Sequence, residues 1–397
     1  MTYTGLISSY LRPDHPDFLD LPWHQPLGQW QSERLEDLEV EPSRHSVVFV
    51  NYEGQLYALK ELPPELAAKE YELLRRMNEV RLPAVEPVGY IQAKQSEQDV
   101  SVLITRYLEH SLPYRSLFLW PDLAKYRQHL LDAMANLLVQ LHLAGVWWGD
   151  CSLNNALFKR DAGKLQAYLV DAETSEIQPS LSEGMRHYEL DIMEENISGS
   201  LADLAALGVL PADYPIFETG SYIRERYLAL WNEINRVEIL PLDERFRIQE
   251  RVRALNKLGF SVDEVELKMT SDGESLKMRA FVTDRHFHSN LLHGLVGLEV
   301  EEEQARKMVN EIQELKATLS KNKNRSTPIS VAAARWLRET YCPLTQKLKD
   351  AIPNQSDVTE LYCELLEHKW YLSEAQRQDV GHQKALEDYL KNRQASG

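Results

Sequence analysis

Cysteine and long apolar runs are scarce in this chain of 397 residues. Its three cysteines, Cys151, Cys342 and Cys363, are far apart and odd in number, so they suggest neither a disulfide framework nor a zinc-ligand spacing. No run of about 18 apolar residues is present, which argues against a transmembrane helix. The N-terminus has no basic region followed by an apolar one, so no signal peptide is visible. We therefore expect a cytoplasmic location.

The chain also lacks an excess of positive charge. Its formal net charge is -17. A nucleic-acid-binding surface needs clustered Lys and Arg to neutralise phosphates, so we expect no nucleic-acid partner. The basic stretch Ser320–Arg325 is more typical of a solvated linker. With 26% charged and 43% hydrophobic residues, the composition is that of an ordinary soluble protein of two or three domains.

One stretch, residues 145–173, combines polar and apolar residues in a pattern typical of phosphoryl transfer. Asp150 lies in Trp-Gly-Asp-Cys-Ser-Leu-Asn-Asn, Asn155 follows five positions later, and Asp171 ends the apolar run Tyr168–Val170. In a centre of the protein-kinase type, one carboxylate accepts the proton of the attacking hydroxyl, while an amide oxygen and a second carboxylate hold Mg²⁺. The pattern predicts Asp150 as catalytic base and Asn155 and Asp171 as metal ligands. Each could instead be an ordinary turn or strand-end residue.

A lysine and a glutamate upstream complete the predicted centre. Lys60 ends a β-rich run in Tyr-Ala-Leu-Lys, where it would contact the nucleotide phosphates and pair with a helix carboxylate. The next helix carries several acids. Glu70 is our choice because it is spaced one turn from apolar residues of the buried stripe, and Glu72 is the second choice. The alternative for Lys60 is a lysine that protects an edge strand.

The loop that would cover the phosphates contains no glycine. It reads Glu-Pro-Ser-Arg-His-Ser over residues 41–46. Without glycine, backbone amides approach phosphates less freely, so Ser43, Arg44 and His45 are predicted to bind the nucleotide with their side chains. A solvated turn is an equal alternative.

Several further residues have two interpretations. Glu173 either faces the same site or caps the next turn. His286, His288 and His293 invite a metal site, but no nearby Cys completes a tetrahedral set, and ordinary polar-face histidines are favoured. Cys151 is either a reactive thiol or, as we expect, a small packed residue.

Hydrophobic periodicity predicts an α+β fold in five parts. An irregular N-terminal arm (1–34) precedes an antiparallel β small lobe with one helix (35–107) and a helical large lobe (108–215). A small α+β domain (216–320) and a helical tail (321–397) follow. The elements predicted within these parts are strands at 47–51, 55–59, 88–92, 100–107, 262–269 and 275–282, and helices at 65–77, 121–143, 221–240, 242–258, 301–319, 331–349, 358–369 and 374–392. A capping box over Ser180–Glu183, with Ser180 as the cap, predicts one more helix through about Glu195.

Residues 35–210 resemble the protein-kinase-like superfamily at Lys60, Glu70, Asp150, Asn155 and Asp171. They are closer to its bacterial lipopolysaccharide-kinase and small-molecule-kinase branch than to the eukaryotic protein kinases. The whole chain resembles a bacterial lipopolysaccharide-kinase-like family with an appended C-terminal domain of unknown function. That likeness is carried by Pro-Ser-Arg-His, Gly-Asp-Cys-Ser-Leu-Asn-Asn-Ala, Val-Asp-Ala-Glu-Thr and Glu-Gln-Ala-Arg-Lys-Met-Val-Asn-Glu-Ile. The resemblance implies a two-lobed kinase fold for the first half.

The chain departs from protein kinases at several points. Trp148-Gly149 stands where they have His-Arg, and Ala172-Glu173 stands where they have Phe-Gly. The segment Thr174–Ser182 is too short for a peptide-docking platform. These departures favour a non-protein acceptor.

Three functions remain open at this point. The favoured one is an ATP- and Mg²⁺-dependent phosphotransferase acting on a hydroxyl of a small molecule, glycan or lipid headgroup. The glycine-free loop motivates the second, a nucleotide-binding switch or scaffold for protein partners. The third is nucleotidyl transfer. The sequence does not define the acceptor or the oligomeric state.

Overall fold

The computed structural model describes residues 5–38, 44–95, 98–120, 126–210, 214–241, 244, 246–270, 275–323, 325–352 and 357–396. The chain divides into two compact units. The first comprises residues Met1–Lys159 and Ala167–Trp231, and the second comprises Arg160–Gln166 and Asn232–Gly397. The helix Ile216–Asn235, which begins just after the predicted boundary at 215, belongs to the first unit as far as Trp231.

The first unit begins with an antiparallel six-stranded sheet in the order β1-β5-β6-β4-β3-β2. One helix, α1 (Pro64–Glu79), follows β4 and begins with a proline in its first turn, where no N–H is needed. The strands are β1 (Leu6–Leu11), β2 (Leu35–Glu36), β3 (Val47–Tyr52), β4 (Gln55–Leu62), β5 (Pro87–Gln95) and β6 (Gln98–Arg106).

The N-terminal arm is more regular than predicted. Residues Leu6–Leu11 form a strand that pairs with β5, so the prediction of an irregular arm is wrong there. The segment lacks strict alternation, and its partner lies some 80 residues later, so no local pattern reveals the pairing. Phe18, Trp23 and Trp30 then bury their rings against the sheet, and the apolar surface they remove from water stabilises the lobe.

The helical part of the first unit carries the polar loops of the site. Short strands alternate with helices, and the two-stranded ribbon of β8 and β11 joins the loop before Asp150 to the segment after Asp171. The elements are β7 (Ser111–Pro113), α2 (Tyr114–Leu119), α3 (Arg127–Leu143), β8 (Val146–Trp147), β9 (Ala156–Asp161), β10 (Lys164–Leu169), β11 (Glu176–Ile177), α4 (Glu183–Ala206) and α5 (Ile216–Asn235).

Two helix predictions in this part need correction. α3 is buried around most of its circumference rather than on one stripe, and the predicted start at 121 lies outside the described residues. α4 is capped by the Ser182 side chain, which accepts from the Met185 N–H, and not by Ser180. It continues through Gly199 to Ala206 instead of ending near 195, and Gly208, with φ +71, follows its end.

The second unit combines a three-stranded antiparallel sheet, ordered β12-β14-β13, with seven helices in its described part. The hairpin predicted at 262–269 and 275–282 has those bounds in the structure. The elements are β12 (Glu238–Pro241), α6 (Phe246–Lys257), β13 (Val262–Met269), β14 (Ser275–Val282), α7 (Phe287–Val296), α8 (Glu302–Lys323), α9 (Ile329–Trp336), α10 (Cys342–Ala351), α11 (Val358–Gln376) and α12 (Gly381–Ser396).

Several boundaries in the second unit differ from prediction, and the last helix begins at Gly381 instead of 374. The helix expected at 221–240 ends at Asn235, and the four residues of β12 pair with β14. The helix expected at 331–349 contains a π-helical stretch at Leu337–Tyr341, just before Pro343, which lacks the N–H that a regular helix would use. α11 runs past 369 to Gln376, where Arg377 adopts a left-handed conformation.

The predicted α+β class is confirmed, with an antiparallel sheet lobe, a helical large lobe and a mainly helical C-terminal part. Within the described residues, no helix has the length and apolar character needed to cross a bilayer.

Candidate active site

Lys60 lies at the centre of a buried group of charges. It is on β4, and its side chain is 14% exposed. Its Nζ is 3.1 Å from Glu70 Oε2 and 2.8 Å from Asp171 Oδ2. Burial acts to lower the pKa of Lys60, but the two carboxylates outweigh it and raise that pKa. The structure thus brings together three residues separated by 10 and 111 positions in the chain.

Glu70, and not Glu72, is the carboxylate that α1 directs inward. Glu70 is fully buried beside Ala67 and Leu74, and it also accepts a hydrogen bond of 3.2 Å from the Ala172 backbone N–H. Burial raises the pKa of Glu70 to about 7; the Asp171 carboxylate adds to this increase and Lys60 opposes it. Glu72 pairs with two arginines of its own helix. The sequence-based choice between them therefore matches the geometry.

Asp150 lies in the loop between β8 and β9 and has three side-chain neighbours. Asn155 Nδ2 donates to the Asp150 backbone O at 3.0 Å and to its Oδ2 at 3.2 Å. Asn196 Nδ2, from α4, donates to Asp150 Oδ1 at 2.9 Å and to the Cys151 backbone O at 3.3 Å. Arg44 lies 3.5 Å from Asp150 Oδ2 and is 86% exposed. Both carboxylate oxygens are oriented by amide donors, and the Asn155 amide oxygen takes no part in these contacts.

Asn196 was missed by sequence reasoning. It lies in the middle of a helix, where no motif or spacing links it to the Asp150 loop. The only local signal is a polar residue beside the buried Ile197 and Met193.

A buried chain of hydrogen bonds fixes the backbone before Asp150. Glu189 Oε1 accepts from the Gly149 N–H at 2.6 Å, and its Oε2 is 2.6 Å from His142 Nε2. His142 Nδ1 is 2.7 Å from the Tyr227 hydroxyl. Burial raises the pKa of Tyr227 to about 12. Because Gly149 has φ +84, this anchor holds a backbone conformation that residues other than glycine rarely adopt.

Trp148 connects the Asp150 loop with the Asp171 loop. Its ring is fully buried, and its Nε1 donates to the Asp171 backbone O at 3.1 Å. Its own carbonyl accepts from the Thr174 hydroxyl at 2.8 Å and the Ser175 hydroxyl at 3.2 Å. The tryptophan that replaces the kinase histidine thus ties together the two loops that carry the catalytic-base and metal-ligand candidates.

The described part of the glycine-free loop faces the same site. Arg44 contacts Asp150, and His45 Nε2 is 3.2 Å from Glu173 Oε2. Ser43, the third residue predicted in this loop, lies outside the described residues. Glu173 lines the cavity with its side chain, which favours the first of its two interpretations.

One cavity of about 500 Å³ in the first unit is lined by Arg44, His45, Lys60, Asp150, Asn155, Asp171, Glu173 and Asn196. Ligand sites commonly span ~300–1,000 Å³. Val47, Ala58, Val85, Leu157 and Val170 give the cavity apolar lining, while residues of α4 and the Asp150 loop give it polar lining. The cavity therefore suits a ligand with an apolar flat part and a charged part.

The donors present could hold a magnesium ion whose remaining ligands come from the nucleotide phosphates and water. In the described part of the chain, no three His, Cys, Asp or Glu side chains form a metal-binding group. Mg²⁺ is commonly held by one or two carboxylates together with phosphates and waters, so Asp171 and the Asn155 oxygen are an adequate protein contribution.

Two other sequence-level candidates have ordinary structural roles. His288 Nδ1 is 2.7 Å from Glu302 Oε1, next to the start of α7, which is typical of a packed polar histidine. Cys151 is buried, and burial raises the pKa of its thiol well above the usual value, which opposes thiolate reactivity.

Comparison with known proteins gives matches over two parts of the chain. Residues 54–208 match the lipopolysaccharide kinase (Kdo/WaaP) family, and residues 229–393 match a domain of unknown function, DUF4032. The predicted resemblance to a lipopolysaccharide-kinase-like family with an appended domain is thereby confirmed. No curated protein sequence matches the chain.

Two solved structures are among those similar to this chain. WaaP in complex with acyl carrier protein is 17% identical and has a TM-score of 0.34, with 56% of this chain and 88% of that chain covered. An aminoglycoside-3'-phosphotransferase of type VIII is 15% identical and has a TM-score of 0.35, with 50% and 86% covered.

Proposed function

We propose that the first unit is an ATP- and Mg²⁺-dependent phosphotransferase that acts on a hydroxyl of a small molecule, glycan or lipid headgroup. The observation that best supports this function is the convergence of Lys60, Asp150, Asn155 and Asp171 on one cavity. The match of residues 54–208 to a kinase family supports the same reaction class.

Each residue has a specific task in the proposed reaction. The Asp150 carboxylate takes the proton of the acceptor hydroxyl as the hydroxyl oxygen bonds to the γ-phosphorus of ATP. The bond from that phosphorus to the β,γ-bridging oxygen breaks, and ADP leaves with the electron pair. Lys60 moves from Asp171 to the ATP phosphates, while Glu70 continues to hold the Lys60 ammonium in place. Mg²⁺, held by Asn155 and Asp171, would neutralise charge on the phosphates.

The acceptor side of the cavity favours a hydroxyl-bearing small molecule or headgroup over a peptide. α4 contributes Asn196 and Ser200 to the lining, and the Asp150 loop contributes Ser152. Such groups recognise hydroxyls by hydrogen bonding. The link from Thr174 to Ser182 is short and includes strand β11, which is paired to β8, so it offers no extended surface for a peptide.

The test is transfer from ATP labelled with heavy oxygen in the γ-phosphate to the small-molecule, glycan and lipid fractions of a cell extract, read by mass. We expect a labelled phosphate on one acceptor class. A product carrying AMP would favour nucleotidyl transfer. Nucleotide binding without any product would favour the switch, and either result would overturn the proposal.

The control variant needs care at Asp150. In Asp150→Asn, the new NH₂ group would meet one of the two amide donors, Asn155 or Asn196, at the cost of ~1–3 kcal/mol for an unsatisfied group. Asp150→Ala is therefore tested alongside it. Loss of a general base costs about 10²–10⁴-fold in rate. We expect that loss in both variants, with nucleotide affinity changed less than about threefold, or ~0.6 kcal/mol.

A further inference from the structure

One hairpin connects the two proposed metal ligands. β9 begins directly after Asn155, and β10 ends two residues before Asp171. The base of the hairpin is closed by the Val170 N–H, which donates to the Asn155 backbone O at 3.1 Å. The tip of the hairpin, Arg160–Gln166, belongs to the second unit. Both ligands therefore flank a hairpin whose tip is assigned to the second unit.

Asp161, at the tip, caps a helix far away in the sequence. Its side chain is buried, and its Oδ2 and Oδ1 accept from the backbone N–H groups of Glu303 at 3.1 Å and Gln304 at 2.8 Å. These are orphan donors in the first turn of α8, where a capping oxygen is stabilising. Burial raises the pKa of Asp161 to about 8, with neighbouring glutamates adding to this and Arg285 opposing it.

Glu360, from α11, holds the turn itself. Its Oε2 accepts from the Ala162 N–H at 2.7 Å and its Oε1 from the Gly163 N–H at 3.0 Å. Both turn residues have positive φ, +53 and +84, as a tight two-residue hairpin turn requires. Gln304 Nε2 also donates to Glu360 Oε2, at 2.9 Å. Glu360 is fully buried.

These contacts are unusual for the tip of a surface hairpin. Two buried carboxylates each receive two backbone N–H donors, and each would be costly to bury without them. The contacts join the tip to the starts of α8 and α11, both within the region that matches DUF4032. The tip is thus part of the second unit's own hydrogen-bonded structure.

We propose that the second unit sets the position of the two metal ligands by holding this hairpin, with Asp161 and Glu360 as positioning residues. The inference rests on the proposed function for the role of Asn155 and Asp171. It gives the appended domain a task in the reaction, because displacement of a reacting group by about 1 Å can cost ~10²-fold in rate.

Hydrogen exchange of the full-length protein tests the inference without any assay of activity. Glu360→Ala removes both acceptors, and Glu360→Gln keeps one. We expect exchange to be fastest in Glu360→Ala, intermediate in Glu360→Gln and slowest in the wild type. This order should hold at the tip and also in peptides that contain Asn155 and Ala172. Acceleration confined to residues 160–166 would overturn the inference.

A matched control excludes general loosening of the second unit. Glu311 is partly buried in this unit, where it accepts from Trp336 Nε1 at 3.1 Å and from the Tyr362 hydroxyl at 2.5 Å and contacts His382, and these three partners all lie outside residues 160–166. Even if Glu311→Gln loses as much thermal stability as the Glu360 variants do, it should leave hydrogen exchange around Asn155 unchanged. If it accelerates exchange there as much as Glu360→Ala does, the inference is wrong.

Kinetics supply the second readout. In Glu360→Ala, the Mg²⁺ concentration for half-maximal transfer should rise about tenfold, or ~1.4 kcal/mol, with the acceptor KM unchanged. An unchanged Mg²⁺ requirement in an active enzyme would overturn the positioning role. If the wild type transfers no phosphate, the proposed function fails, while the exchange experiment still decides whether the second unit holds the hairpin.

Discussion

Replacing Glu70 by Gln tests the buried charge group most sharply. The variant keeps the size of the side chain but removes the negative charge that Lys60 Nζ contacts at 3.1 and 3.3 Å. Removing one partner of a buried pair commonly costs ~3–5 kcal/mol, but Lys60 keeps Asp171 at 2.8 Å. We therefore expect a loss of about 2 kcal/mol in the free energy of unfolding, near the value of a charged hydrogen bond.

The same substitution should weaken nucleotide binding. With Glu70 neutral, Asp171 is the one carboxylate among the described residues that remains paired with Lys60, so the ammonium stays on the proposed metal ligand instead of turning to the phosphates. A change of ~1.4–2.8 kcal/mol corresponds to 10- to 100-fold weaker affinity for Mg²⁺-ATP. Because burial raises the pKa of Glu70 to about 7, the carboxylate is protonated in acid, and wild type and variant should converge below pH 7.

Glu72→Gln is the control on the same helix. Glu72 has 40% side-chain exposure and pairs with Arg75 and Arg76 of its own helix, so its loss should change affinity less than twofold, or ~0.4 kcal/mol. Calorimetric titration of Mg²⁺-ATP at pH 6 and pH 8, with urea unfolding of each variant, provides the comparison. Equal affinities of Glu70→Gln and wild type at pH 8 would refute the reasoning, as would an equal loss in Glu72→Gln.

Three further outcomes follow from the structure. Gly149→Ala should lower the transfer rate at least tenfold, because φ is +84 and the new Cβ would lie 2.9 Å from a carbonyl oxygen, whereas Gly184→Ala, with open space around it, should not; equal rates in both would be contradictory. Asn196→Ala should lower kcat about tenfold with the nucleotide KM unchanged, since one charge-assisted hydrogen bond is worth ~1.5–3 kcal/mol, and a change in KM alone in steady-state assays would contradict this. The pKa of Asp161 is about 8 in the folded protein, well above that of an unfolded chain, so the folded state holds this proton more tightly. The stabilisation that follows is fully present below about pH 4 and is lost as the pH rises towards 8. Urea unfolding should show this slope in wild type and a flatter one in Asp161→Asn, and identical slopes would be inconsistent with it.

The elements that could be predicted from sequence are those with local signals. β13 and β14 have the predicted bounds because alternating residues flank a glycine turn. Glu70 could be chosen over Glu72 because helical spacing reveals which face is buried. In contrast, β1 pairs with a strand that is distant in the chain, and no local pattern encodes such a partner.

The candidate site shows the same division. Asp150, Asn155 and Asp171 have a recognisable spacing, since loop chemistry constrains it. Glu189 and Asn196 support the loop from α4. In the sequence, a polar residue on a helix looks the same whether it is buried in a site or exposed to solvent. Only the tertiary arrangement distinguishes these two residues from solvated ones. Tertiary contacts also reveal the capping role of Asp161, which lies 142 residues before its partner Glu303.

The most direct measurement for the proposed site is calorimetric titration of the full-length protein with ATP, in Mg²⁺ and in chelator. If Lys60, Asn155 and Asp171 form a metal-nucleotide site, binding should be saturable in Mg²⁺, at least tenfold weaker in chelator, and lost in Lys60→Met. No binding by the wild type, or binding that is equally tight in chelator and persists in Lys60→Met, would contradict the account.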